Sequence, residues 1–477
     1  MGFEDDAGED AVGLAARVRS GEVHPRELVE AAIERIGRHD PVLNAVVYRD
    51  FEQARARADG ELPDGPFRGV PFLIKDLGCP VAGMPRSSGS RFLQGEMPAA
   101  DGVLARRYRE AGLVFLGKTN TPEFGITGTT ESALLGPCRN PWNPDHIAGG
   151  SSGGAAAATA SGMVPMAHAS DGLGSIRIPA ACCGLVGLKT TRERNPSGGT
   201  SDVDRAIGMS VDHVVTRTVR DSAAMLDWTG WPEPGCPYGV RGKERPYMEE
   251  IQRDPGRLRI GFSSETPSGR PIDPEIEAAL QQTAKDLEAL GHDVFEAGLG
   301  VDWRRFYAAQ GVVSAANAAA DLTAMIERVG REPEPDELEP LTWAGIRRGR
   351  KLGGEEVMRA WRTLRLLTRE IVAAFEDFDV YLTPVMGTVP PKIGTIDPVA
   401  LAPREVSKRQ ARAFPFTPPF NVSGQPAMSL PLAWSADGLP IGMQLAGRFA
   451  DEATLFRLAA QLEQAHPWRD RRPPVWG

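Results

Sequence analysis

The chain has 477 residues, a formal net charge of −9, 41% hydrophobic residues and 25% charged residues. Its length allows either two domains or one large α/β domain, because single hydrophobic cores stop growing below this size. The acidic balance excludes a protein whose main partner is a nucleic acid, since such partners need a basic face.

Residues 9–38 read as two amphipathic helices. The first is EDAVGLAARVRS, ended by Gly21, and the second is PRELVEAAIERIGR, with Pro25 in its first turn. The twelve residues MGFEDDAGEDAV lack the basic start and apolar stretch of a secretory signal. No apolar stretch reaches the roughly 18 residues that a membrane span needs, so we expect a cytoplasmic protein without a membrane partner.

From residue 67 to residue 230 the pattern changes to short apolar runs, GVPFLIKD, AGLVFLGK and GLVGLK, between Gly/Ser-rich turns and Ala-rich stretches. This alternation predicts strands separated by helices. Further strands are expected in LRIGFSS (258–264) and HDVFEA (292–297), on either side of a helix. These segments predict an α/β fold with a catalytic core in residues 67–230, preceded by N-terminal helices in residues 1–66.

The last third of the chain begins with helical patterns in residues 302–376 and returns to a strand in DVYLTPV. A polar, Pro-containing excursion covers residues 386–413, and PAMSLPL, PIGMQLAG and a final helix complete the core in residues 414–477. We therefore expect a single large domain with a mixed, twisted sheet flanked by helices. Residues 302–413 are the candidate for a mostly helical cap.

Cysteines and histidines indicate neither disulfides nor a metal. The five cysteines form no CxxC pair, and two of them lie in the apolar run AACCGLVGL, which favours buried, reduced thiols. The seven histidines show no HExxH or other metal-ligand spacing. We expect no metal, no cofactor and no histidine that transfers a proton.

Two short motifs compete for a function. Residues Gly112 to Thr119 match the Walker A spacing, but their four middle residues are Leu, Val, Phe and Leu, which predict a buried strand and not a phosphate loop. Residues Gly149 to Gly153 match the G-x-S-x-G nucleophile elbow, with Ser151 as nucleophile. That alternative is an α/β-hydrolase-type esterase, and it requires a histidine partner that no local pattern marks out.

A wider constellation favours another chemistry. Lys75 ends an apolar strand, GGSSGG follows at residues 149–154, and SDGLGSIRIPA begins at residue 170. With LGKTNTPEFG, RNPWNP, CGLVGLK and FTPPFNVSGQPAMSLPL, these segments make the chain resemble the amidase signature hydrolases over nearly its whole length. The resemblance implies a Ser–cis-Ser–Lys triad that hydrolyses amide-type C–N bonds.

By motif position the resemblance places the family's base on Lys75, its bridging cis-serine on Ser151 and its nucleophile on Ser175. Ser152 and Ser170 fall where the family has supporting hydroxyl groups. An alkyl hydroxyl needs a neighbour to take its proton, and a lysine serves as that base only when it is neutral. A serine both donates and accepts, so Ser151 is suited to relay the proton.

The turn before the nucleophile supplies candidate oxyanion donors and an ion pair. The donors are the backbone N–H groups of Gly172, Leu173, Gly174 and Ser175. We expect Asp171 and Arg177 to pair and shape this loop; the alternative is that Arg177 binds a substrate carboxylate. The chain departs from the family's usual pattern at Leu173, where glycine is common, and in KTTRERNP after the nucleophile helix.

The FNVSGQPA stretch and the non-glycine residue Leu173 make the layout most similar to the 6-aminohexanoate-cyclic-dimer hydrolases, and the chain is also similar to the urethanases and aryl acylamidases of the family. The expected substrate is an uncharged amide, lactam, anilide or carbamate. Aromatic residues of the candidate cap support an apolar substrate, although they also suit a plain core: Trp303, Phe306, Tyr307, Trp343 and Trp361. Alternatives are an amidotransferase A-type subunit in a heteromer and a non-catalytic binding module; a homodimer is compatible with the sequence.

Overall fold

The computed structural model describes residues 7–196, 208–236 and 238–477. Its strands are β1 Val46–Arg49, β2 Pro71–Lys75, β3 Val114–Thr119, β4 Glu131–Ser132, β5 Gly136–Pro137, β6 Arg139–Asn140, β7 Asn143–Ile147, β8 Met166–Asp171, β9 Val186–Lys189, β10 Val211–Thr216, β11 Arg259–Phe262, β12 Asp293–Glu296, β13 Val380–Pro384, β14 Ala427–Trp434 and β15 Pro440–Gly447. Its α-helices are α1 Ala11–Ser20, α2 Pro25–Leu43, α3 Phe51–Asp59, α4 Val103–Glu110, α5 Gly153–Ala160, α6 Arg177–Cys183, α7 Val219–Thr229, α8 Tyr247–Glu250, α9 Pro274–Ala289, α10 Trp303–Val329, α11 Pro340–Gly349, α12 Gly354–Ala374, α13 Pro403–Ala413, α14 Pro418–Ser423 and α15 Glu452–Ala465.

One mixed sheet of 11 strands runs through the molecule in the order β1-β3-β2-β8-β10-β9-β14-β15-β13-β11-β12. β2 is parallel to both β3 and β8, and β11 is parallel to β12 and β13, whereas the central strands from β8 to β13 pair antiparallel. The two short pairs β4-β5 and β6-β7 lie outside this sheet. The predicted single α/β domain with a mixed sheet is confirmed.

Helices cover both faces of the sheet. Successive residues of a strand point to opposite faces, and Phe72 and Leu73 of β2 accordingly lie in different apolar clusters. On the Leu73 side, α2, α5 and α6 pack on the sheet, with α10, α12 and α14 further along. On the Phe72 side, α1, α4 and α7 continue into α8, α9 and α15. The result is a three-layer arrangement with a buried sheet.

The register of two parallel strands brings polar residues to one edge of the sheet. Leu73 of β2 is opposite Ala167 of β8, so Lys75 and Ser170 both lie at the carboxyl ends of neighbouring strands. Helix α5 begins at Gly153, and its eight small residues are all buried between α2 and the sheet. The GGSSGG turn therefore enters the fold next to the ends of β2 and β8.

Two of the predicted segments outside the catalytic core contribute strands to the main sheet. The N-terminal segment 1–66 contains β1, which pairs with β3 and forms the edge of the main sheet. The candidate cap 302–413 contains β13, which pairs with β11 and β15 inside the sheet. The excursion 386–413 also contains helix α13. Helix α10 packs on both α11 and α12, and β13 follows these three helices in the chain.

No helix within the described ranges has the length and apolar character to cross a membrane.

Candidate active site

Three serine hydroxyl groups surround the amine of Lys75. Its Nζ atom lies 2.7 Å from Ser151 Oγ, 2.9 Å from Ser152 Oγ and 3.0 Å from Ser170 Oγ. The Lys75 side chain is fully buried, and these three serines are 3% exposed or less. The sequence-predicted lysine and three of the four predicted serines are therefore in direct contact, although 95 residues separate the first from the last.

The Ser151 loop follows a path that its glycines permit. The peptide bond between Gly150 and Ser151 is cis. A Cβ atom at Gly150 would lie 2.7 Å from the backbone of Thr129, and one at Gly154 would lie 2.3 Å from the backbone N of Asn120. Both contacts are too short for a side chain. Close packing of the backbone thus explains glycine on both sides of the two serines.

His168 of the neighbouring strand β8 holds the backbone of Lys75. Its Nδ1 atom accepts the N–H of Lys75 at 3.3 Å, and its Nε2 lies 3.1 Å from Asp212 Oδ1. Since Nδ1 accepts, Nε2 carries the proton and donates it to Asp212. All three residues are buried, and the ring of Tyr108 packs edge-on against His168. His168 and Asp212 therefore fix where Lys75 leaves its strand.

Ser175 lies on the loop between β8 and α6 and is partly exposed. Among the described residues no group hydrogen-bonds its hydroxyl, which distinguishes it from the enclosed Ser151 and Ser152. Gly174 precedes it with φ +131°, and a Cβ atom there would lie 2.3 Å from Thr417 Oγ1. The loop that follows Ser170 thus presents a partly exposed hydroxyl group at Ser175.

The predicted oxyanion turn is partly occupied by Asp171. The N–H of Gly174 donates to Asp171 Oδ1 at 2.6 Å, and the N–H of Ile176 donates to Asp171 Oδ2 at 3.2 Å. Gly174 is therefore removed from the predicted set of free donors, because its N–H already has a strong acceptor. The N–H groups of Gly172, Leu173 and Ser175 stay as candidates.

The Arg177 side chain is buried, and its guanidinium donates hydrogen bonds only to groups of the protein. Its guanidinium pairs with Asp171 at 2.9 Å and also donates to the carbonyl of Thr417, to Gln444 and to Asn421. Burial acts to raise the pKa of Asp171, but the charge and hydrogen bonds of Arg177 outweigh it and hold that pKa well below its usual range. Both side chains are fully buried. The expected ion pair is present, and no side of the guanidinium is left for a substrate carboxylate.

The competing motifs have other structural roles. Residues Val114–Thr119 of the Walker-like match form the buried strand β3, as their composition predicts. Ser151 of the elbow-like match hydrogen-bonds Lys75, and no histidine hydrogen-bonds it in the part of the chain that the structure describes. His213 is buried against Ser222 and Asn195, and burial lowers its pKa to about 3. These contacts count against the elbow alternative.

Three of the five aromatic residues of the candidate cap, Trp303, Phe306 and Tyr307, pack on one another. Phe306 is fully buried between Trp303 and Tyr307, with ring centroids 5.7 and 5.2 Å apart. Tyr307 donates to the carbonyl of Pro415, and Trp343 donates to the carbonyl of Pro335. Because these side chains contact the protein itself, they give little support to the expectation of an apolar substrate.

Five residues that support the site were not predicted from the sequence. His168, Asp212 and Gln444 lie in strands, whereas Thr417 precedes helix α14 and Asn421 lies within it. The sequence predicted no role at the site for any of these five residues. A signal existed for two of them, since Asn421 and Gln444 are polar residues within the otherwise apolar segments PPFNVSG and IGMQLAG. A polar residue in a buried run needs a partner, although the run itself does not indicate which one.

Comparisons with known proteins give a consistent family. The amidase family model matches residues 27–456. A 6-aminohexanoate-cyclic-dimer hydrolase from Paenarthrobacter ureafaciens is 38% identical over 98% of this chain and 97% of its own length. An acylamidase from Rhodococcus erythropolis is 33% identical over 97% of this chain and 96% of its own length. The solved structure of a 6-aminohexanoate cyclic dimer hydrolase with substrate superposes with a TM-score of 0.93, covering 99% of this chain and 100% of that one.

Proposed function

This chain belongs to the amidase signature family of amide-bond hydrolases, and we propose that it acts through an acyl-enzyme on Ser175 with Ser151 and Lys75 as its proton relay. One observation carries the proposal. The amine of Lys75 lies within 3.0 Å of the hydroxyl groups of Ser151, Ser152 and Ser170, all of them buried. Such an arrangement suits a base that receives protons through a hydroxyl group.

In the proposed acylation step, Ser175 Oγ attacks the carbonyl carbon of the substrate. Its proton passes to Ser151 Oγ, and the proton of Ser151 passes to the neutral amine of Lys75. The N–H groups of Gly172, Leu173 and Ser175 stabilise the oxyanion that forms. When the C–N bond breaks, the relay returns the proton to the leaving amine, and the acyl group stays on Ser175.

Deacylation repeats these steps with water as the nucleophile. Water gives its proton to the relay, adds to the acyl carbon and releases the carboxylic acid, and Ser175 Oγ recovers the proton. Ser152 and Ser170 keep the Lys75 amine oriented toward Ser151 through their hydrogen bonds. No other group needs to gain or lose a proton over the cycle.

We further propose that the substrate is uncharged at its acyl side, as a linear or cyclic amide, an anilide or a carbamate. Arg177 is the cation nearest in sequence to the nucleophile, and all its nitrogens bind the protein's own oxygens. The relatives named as cyclic-dimer hydrolase and acylamidase support amide substrates of this kind. A carbamate would form a carbamoyl group on Ser175 by the same steps.

Ser175→Ala tests the nucleophile. We expect the hydrolysis rate to fall by on the order of 10³- to 10⁶-fold, because other serine hydrolases lose that much without their nucleophile. The measurement is kcat/KM on anilide, lactam and carbamate substrates, together with the intact mass after treatment with a fluorophosphonate. An adduct on the peptide containing Ser151 would contradict the proposal and revive the nucleophile elbow.

A further inference from the structure

We propose that Glu123 is a positioning residue, which holds the Glu123–Gly125 turn against Ser151 and makes the proton relay depend on the placement of helix α11. The inference rests on the proposed function, because it gives Ser151 a part in the reaction. Glu123 itself touches neither Lys75 nor the three serines around it. Its effect passes through the backbone of the turn.

The Glu123–Gly125 turn forms a wall directly beside the Ser151 side chain. A Cβ atom at Gly125 would lie 2.9 Å from Ser151 Oγ and 2.6 Å from the side chain of Leu77, so only a glycine backbone fits there. Gly125 has φ +68°, and Phe124 before it has φ +49°, which is uncommon for a bulky side chain. A backbone in this conformation needs support from the surrounding structure.

Glu123 supplies that support from a buried position, with 3% of its surface exposed. Its Oε1 accepts the hydroxyl of Ser90 at 2.8 Å. Its Oε2 accepts the backbone N–H of Glu339 at 2.8 Å and the hydroxyl of Thr342. Glu339 is the N-cap of α11 and Thr342 lies in its first turn, so this carboxylate joins the Glu123–Gly125 turn to the start of that helix.

A second contact joins the same two parts of the molecule. The side chain of Phe124 packs against an apolar cluster in which Leu322 of α10 and Ile346 of α11 are buried with Phe92. The turn is therefore held on one side by a charged anchor and on the other by an apolar one. A displacement of α11 would move both anchors and, through Gly125, the wall behind Ser151.

Such a displacement matters because the relay works over short distances. Ser151 Oγ lies 2.7 Å from Lys75 Nζ. A misplacement of about 1 Å in reacting groups can cost on the order of 100-fold in rate, even when its cause lies far from the chemistry. Burial acts to raise the pKa of Glu123, and its hydrogen bonds from Thr342, Glu339 and Ser90 oppose that effect. The charged form of the Glu123 carboxyl group is therefore stabilised by the same three donors that it holds in place.

The test compares two substitutions at Thr342, which makes no hydrogen bond to the serine–lysine cluster. Thr342→Val removes the hydroxyl donor and keeps the shape, whereas Thr342→Ser keeps the donor. The readout is the second-order rate constant for fluorophosphonate labelling of Ser175. We expect Thr342→Val to label about tenfold more slowly and Thr342→Ser to stay within about twofold of wild type.

Glu123→Gln should slow labelling at least as much as Thr342→Val, because an amide has one acceptor oxygen in place of two. The double variant should be no slower than Glu123→Gln alone, since both changes break one contact. Glu463→Gln is the matched control. This partly buried carboxyl accepts the backbone N–H of Val219 far from the site, and its substitution should leave the labelling rate unchanged.

The outcomes separate the two proposals. If wild type is labelled on Ser175 but Thr342→Val reacts at the wild-type rate, the inference about Glu123 is wrong and the proposed function stands. If wild type is labelled elsewhere, the proposed function is wrong. Equal slowing in Thr342→Val and Thr342→Ser would also overturn the inference, because the hydroxyl donor would then have no role. Melting curves of all variants exclude loss of folded protein as the cause.

Discussion

Lys75 is enclosed by hydroxyl groups, and the role proposed for it demands the neutral amine. An ordinary lysine has a pKa of about 10.4 and is almost wholly charged at neutral pH. We therefore predict that kcat/KM rises from acid toward alkaline pH, and that Lys75→Ala removes this rise together with most of the activity. Lys75→Arg should not restore activity, because a guanidinium keeps its proton in proteins.

The measurement for Lys75 is a kcat/KM pH profile of wild type and both variants, with a melting curve for each. Near-wild-type turnover by Lys75→Arg would mean that Lys75 is a structural cation. Ser170→Ala serves as a companion variant, since it removes one hydrogen bond to the amine and leaves the proposed relay intact. Its rate should lie between those of wild type and Lys75→Ala.

At this scale the sequence predicts the cluster around Lys75 better than the residues that support the neighbouring loop. Lys75, Ser151, Ser152 and Ser170 come from the resemblance to the amidase signature hydrolases, and the structure places them in contact. The partners of Arg177 are different. Gln444 lies 267 residues away, and any of several buried polar residues would satisfy the same local pattern. A hydrogen bond between residues so far apart in the sequence is determined by the fold, so no local sequence pattern predicts it.

At the scale of single elements, helix α5 depends on its small residues. Gly154→Ala would bring a Cβ atom within 2.3 Å of the backbone of Asn120, and the helix would have to shift together with Ser152. We predict a loss of about 1 to 3 kcal/mol in the free energy of unfolding and a lower kcat. Chemical denaturation and steady-state kinetics measure the two effects.

Gly345 in α11 offers a matched control for Gly154, because a Cβ atom there would meet nothing within 4 Å. Gly345→Ala should stabilise the protein by roughly 0.5 to 1 kcal/mol, since alanine costs less backbone entropy in a helix. Equal effects of the two substitutions would show that close packing does not explain glycine at residue 154.

Elements with strong periodicity were predictable, and short or polar ones were not. Pro274–Ala289 and Glu452–Ala465 are helices with clear apolar stripes, and both were expected. Strand β1 has only four residues and follows a helix, so its pairing with β3 has no signal in the sequence. Helix α13 has one apolar face in an otherwise charged segment, and only two of its residues are buried. Tertiary contacts decide such elements.

At the scale of the whole molecule, buried ionisable groups predict how stability depends on pH. The pKa of His213 is lowered to about 3, so between pH 6.5 and pH 3 the unfolded chain binds a proton that the folded protein does not. This histidine therefore makes the folded state less stable as the pH falls through that window. His213→Gln should remove roughly 1 kcal/mol per pH unit of this acid sensitivity.

The contribution of His213 is obtained by comparing wild type with His213→Gln, because other buried groups change the pH dependence of stability in the opposite direction. The pKa of Asp221 is raised to about 7 by burial, so its contribution is lost as the pH rises toward 7. The free energies of unfolding are measured from pH 6.5 to pH 4.5 for both proteins. An unchanged slope in His213→Gln would refute the prediction, and its kcat should stay within about tenfold of wild type, since no histidine belongs to the proposed relay.

The hydrogen bonds of Arg177 join parts of the chain that leave the ribosome at different times. Lys75, Ser151 and Ser175 have all emerged before the middle of the chain is made. Thr417, Asn421 and Gln444, which hold the loop of Ser175 through Arg177, emerge near the end of synthesis. A nascent chain that has all three of the proposed reacting residues still lacks the residues that shape the loop of Ser175. Hydrolysis should therefore begin only when translation is nearly complete, and fragments that end before residue 417 should be inert.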